Sequence, residues 1–186
     1  MVLVFAAVGV SGSGKTTTLE YLISKLSDEG YRIGAIKHIH RENFTIDKEG
    51  TNTWKFSKAG AKVTMAVSPE EIAIIKKTRS STYSLDQIID LLEEEQLDVI
   101  FIEGFHSSIA KRADITKIVT AKNTDDLEKT LNETVQPILA ITGLIAQNKT
   151  TIKKTKIPII ALPDEGEQLF ELFKKHFKQP PKTKLN

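Results

Sequence analysis

An uninterrupted apolar run, Val2 to Val8 (VLVFAAV), leads directly into Gly9-Val10-Ser11-Gly12-Ser13-Gly14-Lys15-Thr16. No other junction restricts the fold as much. A strand without polar alternation must be covered on both faces, which is the setting of a parallel sheet wrapped by helices. The octet fits GxxxxGK[ST] in full, the pattern of a loop whose backbone N–H groups surround phosphate oxygens at the start of a helix. A helix does follow, because Leu19, Leu22, Ile23 and Leu26 recur at helical spacing and Gly30 stands where it would end. The phosphate-binding candidates are therefore Gly9, Ser11, Gly12, Ser13, Gly14, Lys15, Thr16 and Thr17. Lys15 would place its ammonium between the outer phosphates, and the Thr16 hydroxyl would ligate Mg²⁺. The plain alternative is a glycine turn with a solvated lysine.

The same alternation continues along the chain. Arg32 to Ile36 is expected as a second strand, Asn52 to Lys58 as a short helix, and Val63 to Val67 with Ile72 to Lys76 as a hairpin around Ser68-Pro69-Glu70. Ser84 and Gln87 form a capping box for a helix with Leu85, Ile88, Ile89 and Leu92 on one face. Strands are expected over Asp98 to Ile102, Lys117 to Thr120, Pro137 to Ile141 and Pro158 to Leu162, with a helix near Asp125 to Asn132. Asp164 would cap a closing helix carrying Leu169, Phe170, Leu172, Phe173 and Phe177. The fold class is α/β, a mainly parallel sheet flanked by helices, of the P-loop nucleotide-binding type. At 186 residues the expectation is one domain over 1–178, with 179–186, which holds Pro180-Pro181 and no periodicity, as a frayed tail.

Composition narrows the function. Cysteine is absent, which excludes disulfide scaffolds, iron–sulfur clusters, thiolate zinc sites and cysteine nucleophiles, and is compatible with a cytoplasmic location. Lys and Arg number 26 against 24 acids, so no global basic field argues for nucleic acid. Met1 to Val10 is too short to span a bilayer and lacks a preceding basic flank, so it is expected as a buried strand and neither a membrane segment nor a signal peptide.

A magnesium phosphate site also needs an acid near Thr16. Parallel strands all end at one edge of the sheet, so groups just past their carboxyl ends gather beside the loop. Glu103 directly follows Val99 to Ile102 and is the candidate for the metal or its water shell, or else an ordinary strand-end carboxylate. Asp98 begins that strand about 16 Å away and cannot reach. By the same edge argument Lys37, His38, His40 and Arg41 are candidates for gripping an anionic second substrate, with structural histidines as the alternative. A zinc site is disfavoured for want of further ligands at suitable spacing. Asp47, in Asp47 to Gly50, reads either as a switch carboxylate or as part of a solvated turn. The basic stretches Lys149 to Lys156 and Lys174 to Lys184 lack interleaved aromatics and read first as solvated faces. No residue is singled out as catalytic.

The phosphate loop, KHIH after the second strand, FTIDKEG followed by Trp54 and Ala59-Gly60-Ala61, and then VIFIEGF occur in that order. Together they resemble the molybdopterin-guanine dinucleotide biosynthesis protein B family over about residues 1 to 119. The resemblance implies a GTP-binding P-loop protein using Mg²⁺, with slow GTPase activity at most, typically a homodimer. It implies as partners molybdopterin and the molybdenum cofactor guanylyltransferase that joins GMP to it. By that resemblance Gly9 to Thr16 would bind phosphates, Glu103 would serve the magnesium, and His38 and His40 fall on the family's histidine motif. The family usually has a further histidine where this chain has Arg41 and an aspartate where it has Asn52. Guanine preference rests on the resemblance alone, because Asn148-Lys149-Thr150-Thr151 lacks the aspartate of NKxD.

Two other functions share these features. A small-molecule kinase would have the same loop and sheet, but usually neutralises the transferring phosphoryl group with several arginines on a mobile lid. This chain offers only Arg32, Arg41, Arg79 and Arg112, and only Lys76 to Ser81 reads as a basic lid. The third class is a nucleotide-bound structural module without turnover.

Overall fold

The computed structural model describes residues 2–78, 82–152 and 155–177, with the backbone alone described for 149–151. The expected tail lies outside these residues, as does part of the expected lid. The described chain divides into two compact units. One comprises residues up to His38 together with those from Leu91 onward, and the other is Ile39–Asp90.

The larger unit is built on a parallel sheet of β1 (Leu3–Val8), β2 (Ile33–Lys37), β5 (Val99–Glu103), β6 (Thr116–Thr120) and β7 (Ile138–Thr142), in the spatial order β2-β5-β1-β6-β7. Every pairing in it is parallel. Parallel strands need crossover connections, which here carry α1 (Lys15–Asp28), α4 (His106–Ile109) and α5 (Thr124–Glu133), while α6 (Gly166–Lys174) follows the last strand. The apolar continuity of β1 and β5 has the expected cause. Phe5, Ala7, Val99 and Phe101 face a core completed by Leu19, Leu22 and Leu26 of α1 and Leu169, Phe170 and Phe173 of α6. The Phe5 and Phe173 rings lie 4.2 Å apart between centroids. The intervening residues Ala6, Val8, Ile100 and Ile102 are equally buried, so both sheet faces are covered.

Two expectations for the closing region need correction. Pro158 to Leu162 is not a full strand, since a single parallel bridge joins Ile141 and Ile159. Pro158 has no N–H to extend a ladder, and its carbonyl accepts from Ile141 N–H at 2.8 Å before the pairing stops. Asp164 does not cap α6 either, since the N-cap position is Glu165 and no side chain caps there. The Glu165 carboxylate instead accepts from Ala161 N–H at 2.8 Å, closing the turn that leads into the helix.

The smaller unit holds α2 (Asn52–Lys58), the antiparallel hairpin of β3 (Val63–Val67) and β4 (Ile72–Lys76), and α3 (Leu85–Asp90). The Ser84–Gln87 capping box forms in both directions, at 2.9 and 3.2 Å. It opens a helix shorter than the apolar pattern, ending before Leu92. Among the described residues no helix is long and apolar enough to cross a membrane.

Candidate functional site at the carboxyl edge of the sheet

The loop Gly9 to Gly14 leaves β1 at its carboxyl end and enters α1 at Lys15. It is fastened to the ends of two neighbouring strands. The Ser13 hydroxyl lies 2.6 Å from that of Thr120 and donates to Val10 O at 2.8 Å, while Thr18 and Thr142 hydroxyls meet at 2.9 Å. Gly9 and Gly143 permit this closeness. A Cβ on Gly9 would fall 2.0 Å from the Thr120 carbonyl oxygen, and one on Gly143 would fall 2.1 Å from that of Ser13. Thr120, Thr142 and Gly143 were not singled out from sequence. The available signal was that each apolar strand, KIVT and ILAIT, closes on a threonine.

Lys15 folds over the loop and donates to the carbonyls of Gly9 at 3.0 Å and Val10 at 2.6 Å. Burial pushes its ammonium below the usual lysine value, and the nearby Lys37 charge adds to this while Glu103 opposes it. Glu103 closes β5 and is buried, 8% exposed, so it is no ordinary surface carboxylate. Its Oε2 accepts from the Thr16 hydroxyl at 2.9 Å, and its Oε1 accepts from the Lys37 ammonium. Burial alone would raise the Glu103 carboxyl. Hydrogen bonds from Lys37 and Thr16, with the charges of Lys37 and Lys15, outweigh it and hold the group below the usual carboxylate value. Sheet register explains the meeting, because Lys37 on β2 is opposite Glu103 on β5, which is opposite Ala7 on β1. Asp98, at the other end of β5, accepts from Arg32 N–H at 2.8 Å, far from the loop.

His38 continues β2 by donating its N–H to Glu103 O at 2.8 Å. Its ring stacks on Phe105 at 4.1 Å with a 15° interplanar angle. Phe105, another residue the sequence did not flag, has φ +53°. The candidates Ser11, Gly12, Thr16 and Thr17 are exposed on the loop and first helical turn. His40, Arg41 and Asp47 belong to the smaller unit, where His40 and Arg41 are exposed. Asp47 is buried at 7% exposure, which overturns the solvated-turn alternative. Its Oδ1 accepts from Thr51 at 3.0 Å and Thr53 at 2.8 Å, organising the residues that open α2.

Taken together, the larger unit has a loop with the GxxxxGK[ST] pattern, a lysine and a hydroxyl at the start of its helix, and a carboxylate at the end of the adjacent strand. The family model described as MobB, molybdopterin guanine dinucleotide synthesis protein B, matches residues 4–156. The chain belongs to that family. It is 33% identical over 155 residues to the molybdopterin-guanine dinucleotide biosynthesis adapter protein of Haemophilus influenzae, covering 82% of each chain. It is 36% identical over 113 residues to the corresponding Escherichia coli adapter protein, covering 60% of this chain and 64% of that one. The crystal structure of Bacillus subtilis MobB superposes with a TM-score of 0.75 at 24% identity, covering 95% of this chain and 99% of the other. That likeness shows the fold, a mostly parallel sheet flanked by helices of the P-loop class. Family membership places the chain among the adapter proteins of molybdopterin guanine dinucleotide biosynthesis.

Proposed function

We propose that this chain is a GTP-binding adapter that supports the attachment of GMP to molybdopterin by the molybdenum cofactor guanylyltransferase, with slow intrinsic GTP hydrolysis. The observation that carries the reading is the placement of Glu103 between the Thr16 hydroxyl and the Lys37 ammonium, beside a complete phosphate-loop sequence. A carboxylate and a hydroxyl oxygen 2.9 Å apart are the hard donors that Mg²⁺ takes alongside phosphate oxygens. Thr16 and Glu103 would hold that ion, which neutralises phosphate charge when bound. Lys15 and Lys37 outnumber Glu103, so the cluster keeps a positive balance toward a polyphosphate.

Slow turnover is supported by the position of two of the arginines. Arg32 and Arg112 stand at the opposite edge of the sheet, before the strands β2 and β6. Arg32 donates to Glu95 O at 2.5 Å, and Arg112 forms a two-toothed pair with Asp114 at 2.7 and 2.5 Å. Neither lies at the phosphate loop, and hydrolysis is expected at about 10⁻³ per second or below. Lys37 and His38 supply positive charge and an imidazole donor for the anionic phosphate of the pterin, and His40 and Arg41 of the smaller unit remain candidates for the same ligand from their place in the sequence. Asp47 is the candidate carboxylate of a responsive loop in the smaller unit.

A cytoplasmic homodimer completes the proposal. On one face of the β3–β4 hairpin Val63, Met65, Val67, Ile72 and Ile74 are all more than half exposed. A second copy covering that face removes a contiguous apolar patch from water.

The deciding experiment is a reconstituted assay of dinucleotide formation by the guanylyltransferase, with and without this protein, beside Mg-GTP calorimetry. Wild type should bind Mg-GTP and stimulate the transferase. Lys15→Ala should lose at least about tenfold in affinity, from the charge-assisted phosphate contact alone. Unchanged affinity in that variant would remove the phosphate-site reading, and absence of stimulation by wild type would remove the proposed role.

A further inference from the structure

Past Glu103 the chain leaves β5 through two successive residues at positive φ, Gly104 at +97° and Phe105 at +53°. Three non-glycine residues among those described have positive φ, namely Asn43, Gln96 and Phe105, and of these Phe105 alone is aromatic. Asparagine tolerates that region and a bulky ring does not, so the conformation of Phe105 is held by what surrounds it. A strained residue next to a ligand site is a reason to ask what it positions.

Phe105 is anchored on both sides. Its carbonyl accepts from Ser108 N–H and Ile109 N–H, each at 2.9 Å, and Ile109 is fully buried, which fixes the start of α4. Its ring lies face to face with that of His38, with centroids 4.1 Å apart and planes 15° apart. The backbones beneath the rings are pressed together as well. His38 N–H donates to Glu103 O at 2.8 Å, and a Cβ on Gly104 would fall 2.6 Å from that of His38. His38 is the first residue beyond β2, an edge strand of the sheet, and directly follows the Lys37 whose ammonium binds Glu103. A stack on a ring face acts on an imidazole differently from a polar partner. Imidazole nitrogens bond in the plane of the ring, so a carboxylate or carbonyl partner uses one of them, whereas an aromatic neighbour fixes the plane and consumes neither.

We propose that Phe105 is a positioning residue for the second-anion site, its ring holding the His38 imidazole in one plane beside Lys37. The proposal rests on the reading of Lys37 and His38 as the grip for the phosphate of the pterin. An imidazole already held in one orientation loses less rotamer freedom when the anion arrives, and that saving is the contribution of the ring. Phe105 acts through His38 and need touch neither ligand.

The test uses the full chain in the reconstituted dinucleotide assay, with molybdopterin titrated, beside Mg-GTP calorimetry and NMR of the His38 ring C–H signals. Phe105→Gly removes the ring and favours the positive-φ turn, Phe105→Leu keeps apolar bulk without the ring, and Phe105→Tyr keeps the ring. Both ring-deleting variants should raise the half-saturating molybdopterin concentration by about three- to tenfold, with maximal stimulation and Mg-GTP affinity within about twofold, and Phe105→Tyr should restore wild-type behaviour. Protons over an aromatic face are shielded, so the His38 signals should move downfield in Phe105→Gly and Phe105→Leu and stay in place in Phe105→Tyr. His38 signals unmoved in Phe105→Gly overturn the stack. A moved signal with an unchanged half-saturating concentration overturns the positioning role, and so does an equal loss of Mg-GTP affinity, which would make Phe105 a support of the phosphate loop. His38→Ala separates the two readings. If it raises the half-saturating concentration while the Phe105 variants do not, the grip stands without Phe105; if it changes nothing, the grip falls and the positioning role with it.

Discussion

Gly143→Ala should damage the phosphate loop without substituting any of its residues. Gly143 has φ +91°, where an L-residue costs about 1–2 kcal/mol. That cost is only part of the effect. The new Cβ would sit 2.1 Å from Ser13 O and 2.9 Å from Ala121 O, both backbone atoms, whereas ordinary contact begins at 3.4 Å. The Ser13 peptide must therefore retreat by about 1.3 Å, and a shift of about 1 Å in a positioned contact is enough to cost about 100-fold where geometry matters. The expected result is a loss of at least about tenfold in Mg-GTP affinity and a melting temperature lower by about 3–8 °C, at about 2–4 °C per kcal/mol for a chain of this size. Gly30→Ala is the matched control. Gly30 has φ +88°, nothing lies within 4 Å of its Cβ position, and it ends α1 with Gly30 N–H on Ser27 O and Tyr31 N–H on Leu26 O. It should lower the melting temperature by about 2–6 °C and leave nucleotide affinity within about twofold. If Gly143→Ala binds Mg-GTP as tightly as Gly30→Ala does, the loop does not depend on its packing against β7 and the argument from close approach is wrong.

Three further outcomes are expected. Glu103→Gln should make nucleotide binding less dependent on Mg²⁺, whereas Lys37→Ala should lower the Mg²⁺ concentration required, because Lys37 competes with the cation for Glu103; titrations that shift in the same direction for both variants would contradict this arrangement. Asp114 is held at about 2 by hydrogen bonding to Arg112, and a depressed carboxylate stabilises above its unfolded value and loses that contribution as pH falls. The stability advantage of wild type over Asp114→Asn should therefore shrink between about pH 4 and pH 2 in thermal melts, and an advantage that grows on acidification would refute it. Lys117 is fully buried, burial pushes its ammonium down, and its Nζ donates to Arg112 O at 2.6 Å. Its charged form is disfavoured by folding, so wild type should gain on Lys117→Met as pH rises toward the unfolded lysine value; a difference that widens in favour of the variant would count against this.

Local signals carried most of the fold. The apolar runs of β1 and β5 were legible because a strand covered on both faces has no polar alternation, and α1, α2 and the β3–β4 hairpin were legible from spacing and turn residues. The errors fell where two local signals conflicted. The segment 158–162 is apolar enough for a strand, yet Pro158 removes the donor a ladder needs, and only the Ile141 bridge forms. Asp164 has the chemistry of a cap, but Glu165 closes the preceding turn through Ala161 N–H and moves the helix start beyond it. One-turn α4 carries too few residues for any periodicity to register.

The candidate site was legible in kind but not in arrangement, and sheet order is the reason. The octet identifies itself, and Glu103 followed from its place at a strand end. That Lys37 binds Glu103 required knowing that β2 lies next to β5, two strands separated by two helices and a hairpin in sequence. Without that order Lys37 reads only as a cation near two histidines. With it, one ammonium both shields the proposed metal ligand and links it to the residue preceding His38. Glu103 is joined to the histidine segment twice, at its carboxylate by the Lys37 ammonium and at its backbone carbonyl by His38 N–H. This gives a physical route by which occupancy of the loop would bias binding of a second anion, requiring no contact between the two ligands.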